Sequence, residues 1–135
     1  EWCAKEVLGH LIEAERRGFA GRIRQILAEA DPPLATWDQE AVARARRDCE
    51  APLADLLGEF TALRAASVEL ARGLGEADLG RSGRHPRVGD LGVGVLLNEW
   101  VYHDRDHLRQ IHANVQAYVW ANLGNAKGFY APDGV

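Results

Sequence analysis

Long apolar runs are missing from this 135-residue sequence: none approaches the ~18 consecutive residues that a bilayer-crossing helix needs, which argues against a helical membrane protein. A basic excess is missing too. Sixteen Lys and Arg stand against 20 Asp and Glu, a formal net charge of −4, which argues against nucleic-acid binding by bulk electrostatics while leaving room for a local basic patch. Cysteine is scarce. Cys3 and Cys49 lie far apart and outside any C-x-x-C pattern, so two free thiols in a reducing cytoplasm are favoured over a disulfide. No signal peptide stands at the front, and residue 1 is Glu, so the start of translation is expected to lie elsewhere. Repeats, low-complexity tracts and linkers are absent, and a single helical domain over residues 1–135 is expected.

β-branched residues are few and period-2 alternation is not sustained, whereas Ala, Leu, Arg and Glu are abundant, a composition that favours helix. The spacing of Leu8, Leu11, Ile12, Phe19, Ile23, Ile26 and Leu27 predicts one helix from about Cys3 to Ala30, stopped by Asp31-Pro32-Pro33. A second stripe of small residues, Cys3, Val7, Ala14, Gly18, Gly21 and Ala28, lets a neighbouring helix approach closely. Asp38 is the expected N-cap of a short polar helix from about Gln39 to Cys49. Pro52 suits the first turn of a long helix, about Ala51 to Leu74, with Leu53, Leu56, Leu57, Phe60, Leu63, Val68 and Leu70 as its apolar positions. Gly75 to Gly89 reads as a loop, and Asp90 as the cap of a last helix from about Leu91 to Asn122. The tail from Gly124 is expected to wrap over the surface. Together these segments predict an all-α, up-down helix bundle.

The last helix carries the chemistry in the stretch NEWVYHDRDHLRQIH. At roughly 100° per residue, Leu96, Trp100, His103, His107, Ile111 and Asn114 share one stripe, so both histidines point inward with the large apolar side chains. Residues at i and i+4 are neighbours on a helix, and two imidazoles there can reach one ion. The spacing alone leaves two readings open, a metal pair or two hydrogen-bonded core histidines, and H-E-x-x-H is absent. As a third ligand, His10 fits best by position, on another helix beside small residues, ahead of His85 in the loop and His112 off the stripe. Asp104, Asp106, Glu99 and Gln110 surround the pair and offer partners for the second ring nitrogen, although for Asp106 and Glu99 a solvated face with helix charge pairs is favoured.

Three stretches resemble one known family in order and spacing: EWCAKEVLGHLIEAE at the front, EFTALRAASVELARGL in the middle, and RHPRVGDLGVGVLLNEWVYHDRDHLRQI toward the end. Over about residues 2 to 112 the chain resembles the DinB-like superfamily of metal-binding four-helix bundles, relatives of thiol-dependent S-transferases and maleylpyruvate isomerases. The resemblance implies three metal ligands, which carried over are His10, His103 and His107, and a divalent ion, zinc or nickel. It also implies a helix before the Trp motif, where this chain begins, so the expectation is either a trimmed N-terminus or a bundle that lacks the family's first helix. A stripe of core left open by it would call for a covering partner.

Three imidazoles would leave a coordination position open, the form of catalytic rather than structural zinc sites. The first functional expectation is therefore an enzyme activating a low-molecular-weight thiol or water, as a thiol S-transferase or hydrolase. Arg81, Arg84 and Arg87 are candidates to hold a small anionic substrate. The second is a non-catalytic, metal-binding, dimeric stress-response module, and the third a plain helical scaffold. Nothing reads as a Ser-His-Asp or Cys-His arrangement, and GDLGVGV lacks the Lys of a phosphate loop. A cytoplasmic homodimer without nucleic-acid or membrane partners completes the expectation.

Overall fold

The computed structural model describes residues 2–130; residue 1 and residues 131–135, the end of the tail expected to wrap over the surface, lie outside the described residues. The order of elements is α1 (Ala4–Glu13), a π-helical turn (Ala14–Gly18), α2 (Ala20–Ala28), α3 (Gln39–Arg46), a 3-10 turn (Asp48–Glu50), α4 (Leu53–Arg72), α5 (Glu76–Leu79), β1 (Ser82–His85), β2 (Gly89–Gly92), α6 (Val93–Ala121) and a 3-10 segment (Gly124–Phe129). Helix α1 packs against both α4 and α6, and α2 continues along α6. No helix among the described residues is long and apolar enough to cross a membrane.

The expected first helix is interrupted. The Phe19 N–H bonds the Ala14 carbonyl, five residues back, at 2.9 Å, and this wider turn separates α1 from α2. Gly21 explains how the chain tolerates it: a Cβ there would lie 2.0 Å from the Arg16 carbonyl oxygen. Periodicity cannot reveal such a turn, because one inserted residue only rotates the later stripe.

Asp38 caps α3 as expected, its Oδ1 accepting from the Ala41 N–H at 2.9 Å. The helix stops at Arg46 rather than Cys49, because Arg47 takes a left-handed conformation (φ 54°). That reversal lays the 3-10 turn against α1. Contact is close: a Cβ on Gly9 would sit 1.7 Å from Asp48 Oδ2. It also brings Cys49 to the start of α1, where Cys3 and Cys49 form a disulfide, not the pair of free thiols expected. A separation of 46 residues offers no sequence signal for this pairing. Lys5 Nζ reinforces the junction by donating to the carbonyls of Cys49 (3.0 Å) and Ala51 (2.7 Å).

The Gly- and Arg-rich stretch is not a plain loop. It holds the short α5 and an antiparallel hairpin with Ser82 opposite Gly92, Gly83 opposite Leu91, Arg84 opposite Asp90 and His85 opposite Gly89. Strands this short show no alternation to read. Asp90 therefore belongs to β2 and does not cap α6, which begins at Val93 instead of Leu91. The hairpin is tied to the exit from α2: the Arg84 N–H donates to the Pro32 carbonyl and the Leu34 N–H to the Arg84 carbonyl, both at 2.8 Å.

The main core joins Phe19, Ala20, Ile23 and Ile26 to Leu34, Leu91, Val93, Leu96 and Trp100. A smaller cluster joins Leu8 and Ile12 to Leu56. Of the apolar stripe expected on α4, Leu56 is buried, while Leu53, Leu57 and Val68 are exposed.

Candidate metal centre

Helix α1 and helix α6 bring His10, His103 and His107 together, with one ligand atom from each lying within 4.8 Å of the others. His10 Nε2 and His103 Nε2 are 3.0 Å apart. The ring centroids of His10 and His107 are 4.5 Å apart, and those of His103 and His107 4.4 Å. The i, i+4 spacing on α6 and the packing of α1 on that stripe produce this meeting. His85 and His112 do not take part. His85 ends β1, where its Nδ1 accepts from the Arg87 N–H at 3.2 Å, and His112 is exposed on α6.

Aromatic rings surround the imidazoles. Trp37, in the loop before α3, stacks on His10 at 5.6 Å, and Trp2 lies tilted against it at 5.2 Å. Phe19, placed by the π-helical turn, meets His103 edge-on at 5.1 Å and stacks on Trp100 at 5.1 Å. Burial pushes the His10 pKa down from 6.5 to about 4, helped by the neighbouring His107 and His103. His103 is pushed down to about 4 for the same first reason, burial, with His107 adding to it. Both rings are therefore neutral at physiological pH and have lone pairs to offer.

The donor set fits a divalent cation. Two nitrogens, each ~2.0–2.1 Å from one zinc in a tetrahedral site, stand roughly 3.3 Å apart, close to the observed His10–His103 separation. His107 is oriented by its Nδ1, 3.0 Å from Gln110 Oε1, so its Nε2 is left to face the cluster. Nδ1 of His10 and Nδ1 of His103 are buried without a hydrogen-bond partner. Asp104, the other candidate support, is taken by Arg64 at 2.8 and 3.0 Å. Asp106 and Glu99 are exposed, with Asp106 near Arg109 at 3.7 Å.

Two of the loop arginines expected to hold substrate, Arg81 and Arg84, serve the fold. Arg81 donates to the carbonyls of Leu27 and Glu29, and Arg84 pairs with Asp31 at 3.0 Å. Sequence reasoning missed the roles of Trp37 and Phe19. A bulky aromatic in a polar loop just before a capping Asp was the available signal for Trp37. For Phe19 there was none, since its apolar spacing already assigned it to the core.

Comparison with known proteins supports the fold and the family. The model of the DinB superfamily matches residues 1–111. A candidate metal-dependent hydrolase of Oceanobacillus iheyensis is 24% identical over 119 residues, covering 88% of this chain and 68% of that protein. One of Bacillus cereus is 24% identical over 110 residues, covering 82% of this chain and 62% of that protein. Among solved structures, YfiT from Bacillus subtilis, described as a probable metal-dependent hydrolase with an unusual four-helix bundle topology, superposes with a TM-score of 0.79 at 21% identity, covering 88% of this chain and 68% of YfiT. The two-helix histidine cluster, the bundle around it and the match over most of the chain converge: this protein belongs to the DinB superfamily.

Proposed function

We propose that His10, His103 and His107 hold one divalent cation, zinc or nickel, and that the protein is a metal-dependent hydrolase, with thiol transfer as the alternative use of the same centre. The convergence of three imidazoles from two helices carries the reading. When bound, an open three-histidine ion supplies a Lewis acid that lowers the pKa of water to about 7 or favours a thiolate. The chain's own residues prepare the place. Burial keeps His10 and His103 unprotonated, Gln110 orients His107, and Trp2, Trp37 and Phe19 limit water around the rings. The names of the relatives favour hydrolysis over thiol transfer.

The reading includes a cytoplasmic homodimer. The half-exposed Leu53, Leu57, Leu108 and Val115 bordering one apolar groove support a second copy as a covering partner, and sedimentation at several concentrations tests it. The disulfide removes free thiols as a reason for a cytoplasmic setting.

Metal content by mass spectrometry, on protein purified without a nickel column, tests the centre. About one equivalent of zinc or nickel in the wild type, lost in His103→Ala, is expected. No metal in either protein after loading with both ions would sink the proposal. A panel of esters and amides against a panel of thiol acceptors then separates hydrolysis from transfer.

A further inference from the structure

A cavity of about 280 Å³ is lined by Arg16, Arg17, Arg22, Gln25 and Trp37 among others. Trp37 is the wall it shares with the histidine cluster, since its ring stacks on His10. Three guanidinium groups border this space, and they are not equivalent. Arg16 is paired with Glu13 (3.2 Å) and Glu59 (2.6 Å), and Arg17 with Glu13 (2.6 Å) while lying 5.8 Å over the Trp37 ring. Arg22 has no carboxylate within ion-pair distance among the described residues. Its Nη2 makes only long contacts to neutral acceptors, the Ala35 carbonyl at 3.2 Å and His85 Nε2 at 3.3 Å. Its Nε is buried with no acceptor at all.

A half-buried, uncompensated guanidinium is costly unless something pairs with it. Burial pulls its proton affinity down, and Glu99 on α6, too distant for an ion pair, offsets only part of that. The chain pairs the comparable Arg46 and Arg64 with carboxylates, so leaving Arg22 unpaired is a local exception.

We propose that this cavity binds a small molecule through a carboxylate, with Arg22 as the anion-binding residue and Trp37 as the wall that places the rest of the ligand beside the histidine cluster. The site rests on the metal-centre reading for its role in substrate binding, but not for binding itself. The planar fork of a guanidinium matches a carboxylate in two parallel hydrogen bonds, and Arg22 can present its two Nη groups for them, since Nη2 makes only long contacts to neutral acceptors. The volume suits a fragment-sized ligand rather than a peptide or a nucleic acid. This assignment replaces Arg81, Arg84 and Arg87 as the anion contacts.

Benzoate titrated into the metal-free, full-length chain tests the site, followed by the NMR signals of arginine Nε–H and tryptophan indole N–H groups. Saturable binding in the roughly millimolar range is expected for a single fragment. R22Q should weaken it about tenfold or more, R22K should fall between, and R84Q should leave it unchanged. Unaltered affinity in R22Q, equal loss in R84Q, or no saturable binding to the wild type would overturn the proposal. Zinc uptake is scored on the same proteins. Benzoate binding without zinc uptake sinks the metal reading alone, and zinc uptake without benzoate binding sinks the cavity assignment alone.

Discussion

Two buried polar clusters sit one helical turn apart on the first helical stretch, and they are finished differently. Glu15, 1% exposed, has every carboxylate contact filled: Arg64 Nε donates to it at 2.7 Å, Ser67 Oγ at 2.5 Å and Trp100 Nε1 at 3.2 Å. Arg64 in turn holds Asp104. Burial opposes the charge on Arg64, yet its hydrogen bonds to Asp104 and Glu15 outweigh that and hold its pKa above the ordinary value. The His10 cluster is the reverse. The Nε2 atoms of His10 and His103 face one another at 3.0 Å, burial drives these two rings neutral, and their other ring nitrogens, Nδ1, have no partner. A buried group that is fully paired is explained by the fold. A cluster of neutral imidazoles whose lone pairs converge on one point calls for a cation to complete it.

The comparison can be broken most forcefully at Glu15. Glu15→Ala would strand Arg64, Ser67 and the Trp100 indole, and should cost ~3–5 kcal/mol in urea denaturation. A loss below ~1 kcal/mol would show that the network is not structural. Next comes the metal itself. Zinc at ~100 times its dissociation constant should raise stability by ~2.7 kcal/mol in the wild type and in His112→Ala, but not in His107→Ala. Equal stabilisation of all three would place the ion elsewhere.

Cutting the tie between Cys3 and Cys49 with a reductant should cost about 2–4 kcal/mol, because the closed loop restrains the unfolded chain. The histidine cluster should survive this, since Lys5 still holds the junction, and metal uptake by the reduced protein is the measure. Loss of uptake on reduction would show that the disulfide positions His10.

Acid offers a graded test. His10 and His103 have folded pKa values of about 4 against 6.5. Between those values the unfolded chain binds more protons, so the metal-free protein should lose stability as pH falls from 6.5 toward 4 and gain nothing from these groups above 6.5. Replacing both with Gln should flatten that part of the profile, and an unchanged slope would assign it to other groups. The smallest effect is expected at the exposed pair of Asp106 and Arg109, where Arg109→Ala should change stability by less than ~0.5 kcal/mol.

The metal candidates were legible because they sit on regular helix: inward spacing identified His103 and His107, and small neighbours recommended His10. The π-helical turn was not legible, since Phe19 and Ile23 fit an unbroken helix as well as an interrupted one. The hairpin was hidden by its shortness and by Gly83, Gly89 and Gly92, which carry no hydropathy signal. The apolar residues of α4 overstated burial: Leu53 and Leu57 keep helical spacing yet are half-exposed, because spacing tells which side a residue occupies and not whether anything covers it.

By itself the sequence determined the helical class, the cap at Asp38, and the inward direction of two histidines, because these depend on local periodicity and near-neighbour hydrogen bonds. Only the tertiary structure decided the Cys3–Cys49 bond, the Trp37 wall, the unpaired Arg22 and the pairing of Asp104 with Arg64 instead of a histidine. Each of these joins residues from separate elements, and such distances are set by how helices pack and where a chain reverses, which no local pattern records.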